Sequence, residues 1–243
     1  MKHENDWVNP FTGWSADPEE AANTLTHGLG FLLSVIGAIA MTICVVRDGD
    51  SWRILGCLTF SASLVTVYAM STLSHSCSVS KPKRRFQALD QGFIYLLIVS
   101  THTSFSLAFL RTPPWWIFLA IMWTIALLGF LSKIFWAHRV DGIAVWIYVA
   151  LGWMPVASVF SLVGAVPAIG LWWMLVGGLC YTVGTAFLIF DSRGRYFHAI
   201  RHLFVMAGSA CHFFVILIFF LFSTICTTIK STNDANPDIN PWE

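Results

Sequence analysis

Four ionisable side chains occur near the ends of otherwise uncharged hydrophobic stretches of this chain: His75, Asp90, His198 and His202. His198 and His202 are four residues apart, so on a helix they share one face about one turn apart. Two imidazoles at that spacing can bind one metal ion, and His75 would complete a three-histidine set with a fourth position left for water. Such a set predicts a zinc site with His75, His198 and His202 as its ligands.

Two polar residues accompany the histidines and are candidates for chemistry. Ser71 lies four residues before His75 on the same helical face, where it could hydrogen-bond a metal-bound water, Asp90 or a substrate carbonyl. Asp90 suits the role of a general base, or of a carboxylate that orients a ligand, better than the role of a ligand. In the alternative interpretation the histidines only reach the lipid headgroups and Asp90 caps the third helix. Ionisable groups are costly at membrane depth, so the convergence of four favours a functional site.

The composition of the chain predicts a membrane protein. Of its 243 residues, 56% are hydrophobic and 11% are charged, with a mean hydropathy of +0.69, whereas soluble domains contain about 25% charged residues. A core cannot bury so much apolar surface, so lipid must cover part of it. The net charge of +1 argues against nucleic-acid partners. The six cysteines include no C-x-x-C pair, so neither a disulfide framework nor a cysteine zinc site is expected.

Uncharged stretches long enough to cross a bilayer as helices of about 20 residues predict seven spans. One stretch, residues 142–190, would form a helix of about 74 Å, so it must divide, and it does so at Gly164–Pro167. Pro155 predicts a kink in the fifth span. The other five spans are Gly28–Val46, Ile54–Ser74, Gln91–Leu110, Thr112–Ser132 and Leu203–Ile229. We therefore expect an all-α membrane protein, a seven-transmembrane helix bundle. No lysine falls inside these spans, which excludes a retinal protein.

Lysine and arginine residues predict the orientation of the bundle. Nine of them lie on the side of the N-terminus and the even-numbered loops, and four lie on the opposite side. By the positive-inside rule the N-terminus is cytoplasmic and the C-terminus is outside, in the cell (inner) membrane. His75, Asp90, His198 and His202 all fall on the inner side, although none of them entered the count.

The chain is expected to divide into three regions. Residues 24–229 form the transmembrane domain, and residues 230–243 form a disordered tail. Residues 1–23 form a polar segment with a short interfacial helix, in which Asp17 is the N-cap, Pro18 takes the first position and Glu20 completes a capping box.

Three more histidines lie in or beside the spans. His102 and His212 are about 18 and 15 Å deeper than Asp90 and His202, which is too deep for the ligand set. Each is expected to be a hydrogen-bonded core residue or to line a polar cavity. His27 opens the first span at a depth nearer the site, where it would support the ligands from outside their set or end at the interface.

The order of several motifs resembles the hemolysin III branch of the progestin and adipoQ receptor family, which is related to alkaline ceramidases. The resemblance covers nearly everything from Glu20 to Phe220. Its motifs are Glu20-x-x-Asn23-x-x-Thr26-His27-Gly28, Ser71-x-x-x-His75, Leu89-Asp90, Ile94-Tyr95-Leu96-Leu97, Gly177-Gly178, Tyr181-Thr182-Val183-Gly184, and His198-x-x-x-His202-Leu203-Phe204-Val205 with His212-Phe213-Phe214.

The resemblance implies a seven-helix bundle that holds zinc near the cytoplasmic face through His75, His198 and His202, with Asp90 contacting the metal-bound water and Ser71 beside it. Relatives are similar to zinc-dependent amidases that act on lipids such as ceramides, and the bacterial branch is linked to cytolysis and membrane homeostasis. This chain departs from the family pattern at Gln91, His102, Ser104 and Arg201, where a histidine, a tyrosine, a proline and a tryptophan are usual. The departures leave the metal set intact and alter the cavity.

Three function classes follow from these observations. The leading one is a zinc-dependent hydrolase of lipid amides or esters, with Asp90 and Ser71 as catalytic residues and a substrate that enters from the inner leaflet. The alternative is a non-enzymatic regulator or sensor of membrane homeostasis, in which zinc only ties helices together. A pore-forming cytolysin is disfavoured because no span carries a continuous charged stripe. Membrane lipids are the expected partners in every case.

Overall fold

The computed structural model of the protein describes residues 18–77, 79–136, 141–189 and 196–235. These residues form helices and no β-strand, and seven of the helical segments are long and apolar enough to cross a membrane. The predicted all-α, seven-span architecture is therefore confirmed, and the chain is a multi-pass membrane protein. Which membrane face the N-terminus lies on stays a prediction.

The bounds of the helices follow the chain in order. The first four spans are α1 (Pro18–Asp48), α2 (Ser51–Ser76), α3 (Ser80–Phe109) and α4 (Pro113–Trp136). The fifth span consists of α5 (Asp141–Trp153), a 3-10 helix (Met154–Ser158) and α6 (Val159–Leu162), and it is followed by α7 (Ala168–Ile189) and α8 (Phe197–Ala235).

The fifth and sixth spans separate where the sequence predicts. Residues 163–167 connect α6 to α7, and Gly164 has a φ of +92°, a left-handed conformation that glycine adopts without steric cost. The predicted kink at Pro155 takes the form of the 3-10 helix, because proline has no N–H to continue the α-helical hydrogen-bond ladder.

The third span lies at the centre of the bundle. Of its most apolar window 67% is buried, against 17–28% for the first, fourth, fifth and sixth spans, whose outer faces carry the large apolar side chains that lipid must cover. The centre of α3 is polar, and Ser104 donates a hydrogen bond of 2.9 Å to the Gly56 carbonyl of α2. A β-carbon at Gly56 would lie 2.9 Å from the Ser104 Cα, so glycine permits this close helix approach. Trp123 of α4 donates to Thr103 at 3.1 Å.

At the end of the bundle opposite the histidines, an ion pair connects two loops. Asp50 is the N-cap of α2 and accepts hydrogen bonds from the backbone N–H groups of Trp52 and Arg53. Its other oxygen contacts Arg111 Nη2 at 2.6 Å, which connects the α1–α2 and α3–α4 loops. Burial raises the pKa of Asp50, but the hydrogen bonds from Arg111 and the backbone outweigh it and lower the pKa below its usual value.

Several helices extend beyond the predicted spans toward the histidines. α1 begins at Pro18 and continues unbroken into the first span, where the sequence predicts a separate short helix, and its predicted N-cap, Asp17, lies outside the described residues. α3 begins at Ser80, eleven positions before the predicted start at Gln91. α8 continues through residues 230–235 of the segment that the sequence predicts as disordered. The boundaries of the three predicted regions stay a prediction.

Four lysines lie inside helices, contrary to the sequence analysis: Lys81 and Lys83 in α3, Lys133 in α4 and Lys230 in α8. α4 extends past Ser132, so Lys133 belongs to the fourth membrane-spanning helix and its side chain is buried. The expectation that every lysine lies outside the spans was wrong. Each predicted span was ended at its first charged residue, whereas the helix itself continues past that residue. A long lysine side chain near a helix end can keep its amine close to the polar region, which permits one further turn of helix.

Candidate metal centre

Three histidines from two helices converge at one end of the bundle. His75 lies in the last turn of α2, and His198 and His202 lie in the first two turns of α8. One ring nitrogen of each lies within 4.8 Å of the other two, an arrangement that could hold a metal ion. His75 Nε2 and His198 Nε2 are 3.2 Å apart, and nitrogens that bind one tetrahedral zinc at 2.0–2.1 Å lie about 3.4 Å apart. The geometry of the donors thus fits a metal.

The surroundings of the three histidines are largely buried and leave imidazole nitrogens without a hydrogen-bond partner among the described residues. His202 is almost fully buried, and its Nδ1 has no hydrogen-bond partner among the described residues. His27 of α1 packs edge-on against it with ring centroids 3.7 Å apart, and both of its nitrogens lack a partner within the same part of the chain. Buried polar atoms are rarely left unpaired, so a bound ion or water is expected here. His27 thus lies against the ligand set, as one of its two predicted alternatives requires.

Glu20 is a residue of this site that the sequence analysis missed. Its Oε2 accepts a hydrogen bond of 2.7 Å from His75 Nδ1, and its Oε1 contacts Lys83 Nζ at 2.6 Å. A carboxylate on Nδ1 fixes the tautomer whose Nε2 lone pair is free to bind a metal. The sequence analysis assigned Glu20 to a capping box. One signal could have found its contact with His75: Glu20 lies two helical turns before His27, so it shares the helix face of that histidine.

Asp90 and Ser71 meet beside the histidines. Ser71, one turn before His75 and buried, donates a hydrogen bond to the Asp90 carboxylate. His75 and Arg201 lie close enough to Asp90 for their charges to act on it. Asp90 does not cap α3, because that helix begins ten residues earlier with Val79 at its N-cap. The helix-capping alternative is therefore wrong, whereas a catalytic role for Asp90 and Ser71 stays a prediction.

The Arg201 side chain points at ring nitrogens of the histidine cluster. The sequence analysis noted this residue only as a departure from the family pattern. Its Nη2 lies 2.8 Å from His198 Nε2 and 3.0 Å from His202 Nε2. A guanidinium donates hydrogen bonds and accepts none. The two Nε2 atoms that face it are therefore acceptors, and their lone pairs converge on one point. Residue type could not reveal this contact, because it depends on which way a long, flexible side chain turns.

An apolar cavity of about 530 Å³ lies in the bundle and meets this site at Arg201. It lies between α3, α5, the 3-10 helix, α7 and α8, with Arg201 among its lining residues. Val156 of the 3-10 helix and Trp172 of α7 line it and are half or more exposed, so the cavity opens sideways between these two elements. Its volume falls in the range of small-molecule sites. A hydrocarbon chain could enter it from the lipid.

His102 and His212 line the deep part of the cavity and do not join the ligand cluster. His102 Nε2 is hydrogen-bonded to Ser106 at 3.0 Å, and the His212 ring stacks on Tyr181, whose hydroxyl contacts Ser209. The Nδ1 atoms of both histidines lack a partner among the residues that the structure describes. His102 is thus a hydrogen-bonded buried residue, as one alternative predicts, whereas the cavity that both histidines line is apolar and differs from the predicted polar one.

Comparison with known proteins gives the chain a family. It is 36% identical over 203 residues to Hemolysin-3 of Bacillus cereus, covering 84% of this chain and 92% of that protein. The Hemolysin-3 homolog of Bacillus subtilis (strain 168) is 35% identical over 201 residues, covering 83% and 94%. The human Monocyte to macrophage differentiation factor is 25% identical over 207 residues, covering 82% and 83%.

No solved structure matches the chain significantly. Residues 16–213 match the sequence profile of the family described as haemolysin-III related. This match includes all three histidines of the cluster together with Glu20, Ser71, Asp90 and Arg201. The resemblance inferred from the motifs is confirmed: the chain belongs to the haemolysin-III related family of multi-pass membrane proteins.

Proposed function

We propose that this protein is a zinc-dependent hydrolase of lipid amides or esters in the cell membrane. The observation that carries the proposal is the convergence of the three histidines, with one ring nitrogen of each within 4.8 Å of the others, next to Arg201, which also lines an apolar cavity. A hydrogen-bonded serine–aspartate pair lies at the same place. A metal, a proton acceptor and a channel for an acyl chain are the parts that lipid hydrolysis requires.

Zinc is the ion that suits the donor set. Neutral imidazoles bind several transition metals, but three histidines with an open fourth position are typical of catalytic zinc. Zinc held in this way supplies a Lewis acid and lowers the pKa of water toward about 7. The protein supplies the tautomers: Glu20 holds His75 with Nε2 as the free nitrogen, at a distance of 2.7 Å.

The residues around the three histidines position the proton acceptor, transfer the proton and bind the acyl chain. Ser71 donates a hydrogen bond to Asp90 and so holds its carboxylate in position. Asp90 accepts the proton from the attacking water and returns it to the leaving amine or alcohol. The cavity holds the acyl chain and excludes bulk water, which strengthens every charge interaction around the scissile carbonyl. If the N-terminus is cytoplasmic, as the charge distribution predicts, the lipid enters from the inner leaflet.

The test compares metal content and turnover in the same samples. Detergent-purified wild type is expected to retain close to one zinc per chain by elemental analysis and to release fatty acid from a panel of lipid amides and esters. His198→Ala is expected to lose both. His212→Ala, the same change on the same helix outside the cluster, is the matched control and should keep its zinc. Purified wild type that retains no zinc would refute the whole proposal. Wild type that retains zinc but releases no fatty acid would refute the catalytic role.

One observation supports a second candidate, the regulator or sensor with structural zinc. The cluster joins α2 to α8, and the Glu20 contacts bring α1 and Lys83 of α3 to the same point. A metal there would clamp four helices. This candidate predicts that zinc removal lowers the thermal unfolding temperature, that no lipid is hydrolysed, and that Asp90→Asn has no consequence beyond stability.

A further inference from the structure

Two histidines line the cavity far from the metal cluster and have no part in the proposed reaction. His102 of α3 and His212 of α8 are among the lining residues, and they are only 2% and 8% exposed. The Nδ1 atom of each lacks a hydrogen-bond partner among the described residues. A buried polar atom without a partner costs free energy, so each Nδ1 is suited to a polar group that enters the cavity.

The hydroxyl groups of the cavity wall, in contrast, are already hydrogen-bonded to the protein. Those of the lining threonines and tyrosines pair with neighbouring groups: Thr101 with Leu97, Tyr148 with Gln91, Tyr181 with Ser209, Thr182 with Gly178 and Thr185 with Tyr181. The rest of the wall is mainly aliphatic or aromatic. In the deep part of the cavity, the two Nδ1 atoms are therefore the polar groups that the described residues leave unpaired.

Both imidazole rings are held in place by their neighbours. His102 Nε2 is hydrogen-bonded to Ser106 at 3.0 Å. The His212 ring stacks on Tyr181 with the ring centroids 5.5 Å apart. A β-carbon on Gly177 would lie 2.8 Å from His212 Nε2, so this glycine leaves room for the ring between α7 and α8. Because the rings are already positioned, a ligand that binds them need not order them first.

The rise of the two helices places both histidines at a similar depth below the metal cluster. His212 is eleven residues after Arg201, which lines the cavity beside the cluster, and this spacing corresponds to about 16 Å along α8. His102 is twelve residues after Asp90, or about 18 Å along α3. An extended hydrocarbon chain advances about 1.25 Å per carbon. A chain whose carbonyl faces the cluster thus brings about its tenth to fourteenth carbon to the two histidines.

We propose that the ligand of this cavity is an acyl lipid with a hydroxyl group in the middle of its chain, about ten to fourteen carbons from the carbonyl. A hydroxyl suits either histidine in either tautomer, since it both donates and accepts hydrogen bonds. A plain chain leaves both Nδ1 atoms unpaired, and a hydroxyl at another depth is buried against an apolar wall without a partner. The inference rests on the proposed function for the position of the carbonyl at the cluster.

The experiment compares two fatty acids of identical composition, which the protein cannot hydrolyse. The hydroxyl of 12-hydroxyoctadecanoic acid lies about 14 Å from the carboxyl carbon, and that of 6-hydroxyoctadecanoic acid about 6 Å from it. Because both isomers carry one hydroxyl into the cavity, the cost of removing it from water is the same for both. Affinities are measured by calorimetry on detergent-purified wild type. We expect the 12-hydroxy isomer to bind about fivefold or more tightly than the 6-hydroxy isomer. Equal affinities would mean that water satisfies the histidines, and would overturn the inference.

Substitution of both histidines assigns the preference to their ring nitrogens. The double variant His102→Phe with His212→Phe keeps an aromatic ring at each position and is expected to bind the two isomers with equal affinity. Thr101→Val is the matched control, since it removes a polar group of the same wall that is already bonded to Leu97, and it should keep the preference. Thermal unfolding reports whether the variants are folded. A preference that survives in the folded double variant would overturn the inference, and the comparison in wild type decides without any variant.

Binding and turnover distinguish this inference from the proposed function. Turnover is measured on the ethanolamides of the same two acids. Hydrolysis of both ethanolamides, with equal affinities for the two acids, would overturn the chain assignment and leave the hydrolase standing. A preference for the 12-hydroxy acid that the double variant removes, without hydrolysis of any lipid amide or ester, would support the chain assignment and overturn the hydrolase.

Discussion

The contact between Glu20 and His75 predicts that a residue outside the ligand set controls zinc affinity. Glu20→Gln keeps an oxygen that can accept from His75 Nδ1, but it removes the negative charge that makes the imidazole a stronger ligand. Changes of this kind typically reduce metal affinity about 10- to 100-fold, or about 1.4–2.7 kcal/mol. We expect Glu20→Gln to reduce zinc affinity by an amount near the lower end of this range, and Glu20→Ala by an amount near its upper end.

The two partners of Glu20, His75 and Lys83, are expected to affect zinc binding unequally. The His75 ring is 8% exposed and hydrogen-bonds the carboxylate at 2.7 Å, whereas the Lys83 side chain is 27% exposed. Partly exposed ion pairs contribute about 0.2–1 kcal/mol, so Lys83→Met should weaken zinc binding by less than about fivefold. The effect of Glu20 on the metal thus acts mainly through the imidazole.

The assay is competition for zinc against a chromophoric chelator, performed on wild type and variants in the same detergent. Glu19→Gln is the matched control, since it removes the carboxylate of the adjacent residue, which accepts from the Tyr196 backbone N–H at 3.2 Å. We expect the dissociation constant to rise about tenfold in Glu20→Gln and to change little in Glu19→Gln. Equal zinc affinities in Glu20→Gln and wild type, with both samples folded, would refute the role assigned to Glu20.

Three further predictions concern the metal, the proton acceptor and the opposite face of the membrane. His198→Ala is expected to abolish zinc retention, as elemental analysis will measure. Asp90→Asn should keep zinc and the fold while lowering the rate of fatty-acid release about 10²- to 10⁴-fold, and an unchanged rate would contradict its role as a base. Asp50→Ala should lower the free energy of unfolding by about 1 kcal/mol through loss of the α2 N-cap. Because the folded-state pKa of Asp50 is lowered, its stabilising effect is present above the ordinary pKa of about 3.9 and is lost as the pH falls through the lower folded value. Thermal unfolding of wild type and Asp50→Asn should therefore converge at acid pH, and curves that stay parallel would contradict this.

The number of spans could be predicted from the sequence because lipid imposes a simple rule. A crossing helix needs about 20 residues without charge, and the break at Gly164 follows from the same length limit. The helix ends could not be predicted in this way. α3 begins at Ser80 and includes the basic residues before Asp90, since a helix continues into the polar region wherever its backbone hydrogen bonds are satisfied.

The histidine cluster could be predicted because part of its pattern lies within one helix. His198 and His202 share a helix face by their spacing alone, and His75 ends the neighbouring uncharged stretch. Glu20 could not be assigned in the same way, since its contact with His75 joins residues 55 positions apart. Such a contact depends on how α1 packs against α2, and no periodicity within either helix encodes that packing.

The extended helix ends explain why this site can be rich in charge inside a membrane protein. Glu20, Lys83 and Arg201 all lie on the additional turns that α1, α3 and α8 build beyond the predicted spans, at the level of the histidines. A carboxylate in the hydrocarbon region would cost several kcal/mol, but Glu20 is 26% exposed and paired with Lys83. The charges beside the histidine cluster therefore lie on the additional turns, and Arg201 is the one of the three that also lines the apolar cavity. If the proposed lipid reaches the histidines with its acyl chain in this cavity, its headgroup lies among these charges, and we then expect the extended turns, more than the bundle below them, to determine which lipids bind.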